Sequence, residues 1–325
     1  MFASSTVDGR LMCASACAYF VNLSGDFVVP GKSDPNYNLY VYAGFLGHVQ
    51  AFTNKSPLEE KINAAILAET DLGYVLAFRG TLPFKKYNCA SWEDWLQDII
   101  ESDTINTSEL PGEVHQGIFD AYQSICGDIM TALHTIYVDN KSNKPLLITG
   151  HSKGGPMASY AAYITKCLNF PVTKVVTFAS PHPGNVTFAE GYNKVIAQTR
   201  YENYLDIVPF LPPAQQGMNS IFLLLDGLID FFEWAFPGYA ATLKKFKEWL
   251  NEALKWNYFP VGTLKYITKE GRIVGDSVGL EYLRLDEFVT DIYDNGFEKG
   301  LQNIAAAHSI GCGSGYQKGV IPSVC

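Results

Sequence analysis

The chain has 325 residues, of which 47% are hydrophobic and 18% charged, which is too apolar for a disordered chain and enough for a large core. Lys and Arg total 24 against 33 Asp and Glu, a net charge of −9. Because phosphate contacts need clustered basic residues, this balance argues against nucleic acid as a partner. The length suits two domains or one large α/β domain. We expect one domain across residues 1–325.

The predicted elements alternate between helices and strands along the chain. Residues 11–21 are apolar and form the first predicted core helix. We favour this interpretation over a signal peptide, because residues 1–10 lack a clear basic region. A predicted hairpin follows at 64–78, and strands at 145–149, 173–178 and 198–204 alternate with helices at 91–101, 116–137 and 152–168.

The strands at 145–149 and 173–178 are short and continuously apolar, as expected where helices cover both faces of a sheet. The order of elements therefore predicts an α/β fold with a mostly parallel central sheet flanked by helices.

Residues 217–256 interrupt this alternation with a long helical stretch. Its first half is almost entirely apolar, and its acids Asp226, Asp230 and Glu233 fall on one stripe at i, i+4 and i+7. Three acids make a transmembrane helix costly, at about 2.5–3.5 kcal/mol for a charge near the bilayer centre. We therefore expect a helical cap or lid inserted at about 214–257 rather than a transmembrane segment. The lid residues that we expect to face substrate or lipid are Phe222, Leu225, Ile229, Phe232 and Phe236.

The strongest chemical motif is Gly150-His151-Ser152-Lys153-Gly154, which fits G-x-S-x-G between a predicted strand and a predicted helix. This context is that of a nucleophile elbow, a tight turn that presents a serine at the carboxyl end of the sheet. Ser152 is therefore the candidate nucleophile.

A serine nucleophile needs a base and an orienting acid, which follow it along the chain in this type of fold. Only His182 and His308 come after Ser152, and chain order favours His308 as the base. His182 is predicted to be a structural loop residue. Asp206, at the end of a predicted strand, is the candidate acid that would orient His308.

The oxyanion of an acyl-transfer intermediate needs backbone N–H donors. We expect one donor from Lys153, next to the nucleophile, and one from Thr81, in the Arg79-Gly80-Thr81 stretch that directly follows a predicted strand. The later stretch 311–315 (GCGSG) lacks the Lys-Ser/Thr ending of a phosphate loop and is predicted to be a flexible turn.

Seven cysteines are dispersed without a CxxC pair, so we predict no structural metal site. Cys312 and Cys325 are candidates to close a C-terminal loop.

Together the motifs resemble the class 3 lipases, the α/β-hydrolases related to fungal triacylglycerol lipases. The matching blocks are YVLAFRGT (74–81), WLQD (95–98), VHQGIFDAY (114–122), LLITGHSKGG (146–155), VVTFASPHPGN (175–185) and RYENYLDIVPFLPP (200–213). The resemblance implies an α/β-hydrolase fold, a Ser152–His308–Asp206 triad, an oxyanion hole at Thr81 and Lys153, and hydrolysis of acylglycerols or phospholipids.

Lys153 departs from the family pattern, which has an apolar residue after the serine. Its cation could act near the oxyanion or bind an acidic group, or it could simply pair with a carboxylate in the cleft wall. The 217–256 insertion is also long for the family.

We therefore expect a serine carboxylic-ester hydrolase that uses no cofactor and acts on a lipid or other ester, with transient lipid-interface contact through the cap. Alternatives are a phospholipase A1, a short-chain or feruloyl-type esterase and, further off, an acyltransferase or a catalytically silent lipid-binding protein. The compartment stays open between secretion, if a signal peptide was removed before residue 1, and the cytoplasm.

Overall fold

The computed structural model describes residues 6–54, 63–82, 103–212, 257–277 and 279–325, with ten further positions between 226 and 254. The predicted helix at 91–101 and most of the predicted lid lie outside the described residues. The helices are α1 (Val7–Cys17), α2 (Tyr37–Ala43), α3 (Gln116–His134), α4 (Gly154–Cys167), α5 (Val186–Val195), α6 (Leu280–Asn295), α7 (Phe297–Ala307) and α8 (Gly315–Val320).

The strands form two sheets. They are β1 (Phe45–Thr53), β2 (Ala64–Thr70), β3 (Gly73–Phe78), β4 (Thr104–Asn106), β5 (Glu113–His115), β6 (Leu146–His151), β7 (Val172–Phe178), β8 (Gly184–Asn185), β9 (Gln198–Asn203), β10 (Tyr258–Phe259), β11 (Thr263–Ile267) and β12 (Ile273–Val274).

The larger sheet has eight strands in the order β1-β2-β3-β6-β7-β9-β11-β12. The five strands from β3 to β11 are mutually parallel, and the antiparallel pairs lie at the two edges. The smaller sheet is antiparallel, in the order β10-β8-β5-β4. The predicted α/β fold with a mostly parallel, helix-flanked sheet is confirmed.

Two apolar cores cover the two faces of the larger sheet, and strand β3 shows how the period of two divides its residues between them. Leu76 and Phe78 face the core that contains the apolar faces of α3 and α4. Val75 and Ala77 face the core that contains α1. Burial on both faces accounts for the continuous apolar runs that predicted these strands.

The predicted first core helix is confirmed as α1, which begins a few residues earlier than expected. Its residues from 9 to 17 are all buried. Ser15 Oγ lies 2.7 Å from Thr149 Oγ1 of β6, so α1 packs directly beneath the strand that leads to the nucleophile elbow. Thr6 caps the helix by accepting a hydrogen bond from the Gly9 N–H.

Where the 217–256 insertion is described, its residues are helical. Ile229 is buried, whereas Asp226, Asp230 and Glu233 are exposed, as expected for an amphipathic helix that turns its acids to water. Asp226 and Glu233 form ion pairs with Lys247 and Lys244 of the second half. No helix of the described part of the chain is long and apolar enough to span a membrane.

Candidate active site

Ser152 follows the last residue of β6 in a strained backbone conformation. Its φ is +56°, in the left-handed region that non-glycine residues rarely adopt. Its N–H donates to the Phe178 carbonyl of β7, and its carbonyl accepts from the Gly155 N–H at the start of α4. The turn between strand and helix is therefore fixed from both sides.

Glycines surround the elbow because the backbone segments approach too closely for side chains. A Cβ at Gly150 would lie 2.0 Å from the Gly154 carbonyl oxygen, and one at Gly154 would lie 2.4 Å from the Phe78 carbonyl oxygen. The G-x-S-x-G spacing is thus a steric requirement of this turn.

The structure brings the three predicted catalytic residues together. His308 Nε2 lies 2.9 Å from Ser152 Oγ, and His308 Nδ1 lies 3.0 and 3.1 Å from the two carboxylate oxygens of Asp206. The Asp206 side chain is fully buried and that of His308 is 14% exposed. Because Nδ1 faces a carboxylate, it carries the ring proton, and Nε2 is left to accept the serine proton.

Two further donors hold Asp206. The Tyr316 hydroxyl donates to Oδ2 at 2.7 Å, and the Val208 N–H donates to Oδ1 at 3.1 Å. The Tyr316 hydroxyl also accepts the Asn203 N–H, at 3.1 Å. Burial, together with the Asp206 charge, raises the pKa of Tyr316 well above its usual value, so this hydroxyl keeps its proton and remains a donor.

Tyr316 lies just after the stretch 311–315 that the sequence predicted to be a turn, and residues 311–314 are bends and turns that lead into α8. Cys312 forms the expected disulfide with Cys325. The Cys312 N–H donates to Asn36 Oδ1 at 2.9 Å, and Ser314 caps α8 by accepting the Gln317 N–H. The glycines only allow the chain to turn before α8 begins.

His151, the residue before the nucleophile, is buried and has partners on both ring nitrogens. Its Nε2 lies 2.8 Å from the His308 carbonyl oxygen, which can only accept, so Nε2 carries the proton. Burial lowers the pKa of His151 well below its usual value, so the ring is neutral, and Nδ1 accepts from the Tyr19 hydroxyl at 2.7 Å. His151 is therefore a structural part of the elbow and is not available as a second base.

Each predicted oxyanion residue is a chain neighbour of a residue at the elbow. Thr81 follows Gly80, where a Cβ would lie 2.6 Å from the Ser152 Cβ. Lys153 follows Ser152 and precedes α4. The Lys153 ammonium donates to Asn63 Oδ1 at 2.7 Å.

His182 has the structural role predicted for it. Its Nδ1 donates to the Pro212 carbonyl at 2.8 Å, and burial lowers its pKa to about 4, so the ring stays neutral. Among the described residues, no group of three or more His, Cys, Asp or Glu side chains is arranged to hold a metal ion.

Of these contacts, the sequence did not predict those of Tyr19, Tyr316 and Asn63. Each joins residues at least 90 positions apart in the chain, and no local motif marks them.

A parallel sheet with an elbow serine at its carboxyl end, next to a hydrogen-bonded histidine and aspartate, defines an α/β-hydrolase fold. Residues 75–216 match the family model "Lipase (class 3)". This match confirms, for these residues, the resemblance predicted from the motifs.

Parts of the chain are also similar to curated lipases. The chain is 36% identical over 108 residues to secreted mono- and diacylglycerol lipase 1 of Fusarium solani, covering 32% of this chain and 31% of the relative. It is 27% identical over 153 residues to secreted mono- and diacylglycerol lipase A of Penicillium cyclopium, covering 46% of each. The matches span less than half the length of these curated relatives.

The fold is shared with a crystal structure of a Penicillium cyclopium MDLA variant. The two have a TM-score of 0.54 at 19% identity, over 81% of this chain and 78% of that one.

Proposed function

We propose that the protein is a serine carboxylic-ester hydrolase that cleaves acyl esters of glycerolipids. The proposal rests on one observation: at a nucleophile elbow, Ser152 Oγ is hydrogen-bonded to His308, which is in turn hydrogen-bonded to Asp206. Two findings support the substrate class. Residues 75–216 match the class 3 lipase model, and the relatives are named as mono- and diacylglycerol lipases.

In the proposed reaction Ser152 Oγ attacks the ester carbonyl while His308 Nε2 takes its proton. Asp206 holds the ring in the required tautomer and stabilises the imidazolium that forms. The backbone N–H groups of Thr81 and Lys153 would donate to the oxyanion; loss of one such donor typically costs about 2.7–4 kcal/mol.

The collapse of this intermediate completes acylation. His308 protonates the leaving alcohol, and the acyl group remains on Ser152. His308 then activates a water, which releases the acid. This chemistry needs neither a metal nor an organic cofactor.

We further propose that residues 1–325 act as one catalytic domain in which the 217–256 insertion forms the cap, with Phe222, Leu225, Ile229, Phe232 and Phe236 on its apolar side. Burial of Ile229 beside exposed acids supports an apolar face turned to the protein. An apolar cap over an acyl pocket would meet lipid transiently when it opens. Deletion of 217–256 should remove activity on C16 esters and leave activity on C2 esters.

We propose that the protein is secreted, on the basis of two observations. The two curated relatives are named as secreted lipases, and Cys312 pairs with Cys325 in a disulfide. Disulfides persist in oxidising compartments and are rare in the cytosol. Peptide mapping of the secreted, non-reduced protein should recover a Cys312–Cys325 linked pair, and free thiols at both positions would contradict the proposal.

The first experiment is hydrolysis of p-nitrophenyl esters from C2 to C16 by the wild type and by Ser152→Ala. We expect activity that peaks at medium or long chains and falls at least about 10⁴-fold in the variant. Unchanged activity in Ser152→Ala would refute the assigned nucleophile.

Assays with other substrates distinguish this proposal from the alternative activities. Phosphatidylcholine tests a phospholipase A1, methyl ferulate tests a feruloyl-type esterase, and added alcohol tests an acyltransferase. An enzyme inert in all of these, with detergent or lipid emulsion present, would instead be a silent lipid-binding protein.

A further inference from the structure

A largely buried arginine side chain on α6 lies against the strand that leads to Asp206. Arg284 Nη2 forms an ion pair with Glu202 of β9, and the two side chains are only 9% and 5% exposed. Arg200 Nε donates to the other carboxylate oxygen of Glu202 at 2.8 Å. Burial by itself raises the pKa of Glu202, but the two guanidinium groups outweigh it, so the pKa is lowered and the carboxylate stays charged.

The Arg284 guanidinium also packs against two aromatic rings. Its Cζ lies 4.7 Å from the ring centre of Phe210 and 4.6 Å from that of Tyr266. Phe210 ends the short 3₁₀ turn Val208–Phe210, whose first N–H donates to Asp206. Arg284 therefore contacts both the strand before the acid and the turn after it.

The helix that carries Arg284 also belongs to the segment that carries the base. Helix α6 packs on α7, and His308 directly follows α7. At the other end of this segment, Asn203 Nδ2 of β9 donates to the Ala307 carbonyl at 3.0 Å. The acid strand and the base segment are thus joined at two places, through Arg284–Glu202 and through Asn203–Ala307.

We propose that Arg284 is a positioning residue. It would fix the acid loop, residues 203–210, relative to helices α6 and α7, so that His308 reaches both Asp206 and Ser152. This inference rests on the proposed function. A buried ion pair adds little net stability compared with apolar packing, but its fixed geometry can select one arrangement of the elements that it joins. The planar guanidinium suits this role because it pairs and stacks at the same time.

Arg284 can be tested without leaving a buried charge alone, because Glu202 keeps Arg200 when Arg284 is replaced. Arg284→Met should lower kcat for p-nitrophenyl butyrate about tenfold and change KM less than about twofold. Arg284→Lys keeps the charge but not the planar stacking, and should lower kcat about threefold. The matched control is Arg272→Met, since Arg272 is 78% exposed and should change neither value more than twofold.

A spectroscopic readout separates positioning from general destabilisation. In Arg284→Met the downfield proton resonance of the His308–Asp206 hydrogen bond should shift or broaden at a temperature where circular dichroism shows the variant folded. An unchanged resonance and unchanged kcat in a folded variant would overturn the inference. So would a lowered melting temperature with normal kcat in the cold.

These outcomes are distinct from failure of the proposed function. An inactive wild type would remove the esterase proposal, and the His308–Asp206 resonance would still test whether Arg284 sets this contact.

Discussion

The two halves of the candidate site are built in different ways. The nucleophile half is a continuous run of sequence, 150–155, held by backbone hydrogen bonds and by glycines that leave no space for a side chain. The acid–base half joins Asp206, His308 and Tyr316 across about 100 positions and depends on side-chain hydrogen bonds. The nucleophile half is fixed by steric contacts and should tolerate few substitutions. The acid–base half depends on several polar contacts, so substitutions there should reduce activity to different extents.

The largest expected effect tests the centre of the acid–base half. Asp206→Asn keeps the shape of the side chain but removes the charge that fixes the His308 tautomer, so kcat on p-nitrophenyl butyrate should fall about 10⁴-fold. The near-UV circular dichroism spectrum should be that of the wild type. A loss of less than about tenfold would mean that another group orients the base.

The next test addresses the nucleophile half. Gly150→Ala forces a Cβ to 2.0 Å from a backbone oxygen, and the free energy of unfolding in urea should fall by about 3 kcal/mol or more. Gly127→Ala is the matched control, since its Cβ meets nothing within 4 Å and lies in helix α3. There we expect a gain of about 0.5–1 kcal/mol. Equal stability of the two variants would contradict the steric account.

Acidification should lower the free energy of unfolding through His182, whose ring bonds to the Pro212 carbonyl a few residues after Asp206. This ring is neutral and buried, and its pKa falls from 6.5 to about 4. The unfolded chain binds this proton below pH 6.5 and the folded chain does not, so stability is full above pH 6.5 and declines as the pH falls toward 4. This one group should cost about 2 kcal/mol between pH 7 and pH 5.

The measurement is urea unfolding of the wild type and of His182→Asn at both pH values. The variant keeps a donor for the Pro212 carbonyl but has no proton to gain, so the stability difference between the two proteins should shrink at pH 5. Parallel changes in both would show that His182 does not contribute to the pH dependence.

The smallest effect should come from one of several donors to Asp206. Tyr316→Phe removes its hydroxyl and leaves the Val208 and His308 donors, so kcat should fall about tenfold and stability by about 1–2 kcal/mol. Tyr293→Phe, at a tyrosine that is 72% exposed, is the control and should change kcat less than twofold. If the two variants behave alike, Tyr316 does not support the acid.

This difference also explains what the sequence could predict. The elbow is local, so its glycines, its strand and its helix were all visible in one stretch, and the apolar runs located the parallel strands. Chain order then selected Asp206 and His308 from a small set. The contacts of Tyr19, Tyr316 and Arg284 depend on which distant elements the fold brings together, and no spacing rule encodes them. The contact of Lys153 with Asn63 was unpredictable for the same reason, because Asn63 lies 90 residues away.

The chain distance between the two halves has a consequence for the synthesis of this protein. Ser152 is synthesised 156 residues before His308, and the elbow can form from 146–155 as soon as its sheet neighbours are present. A nascent chain at that stage presents a serine without its base. The proposed triad is therefore complete only after the chain has been made through α7 and His308 has reached Ser152.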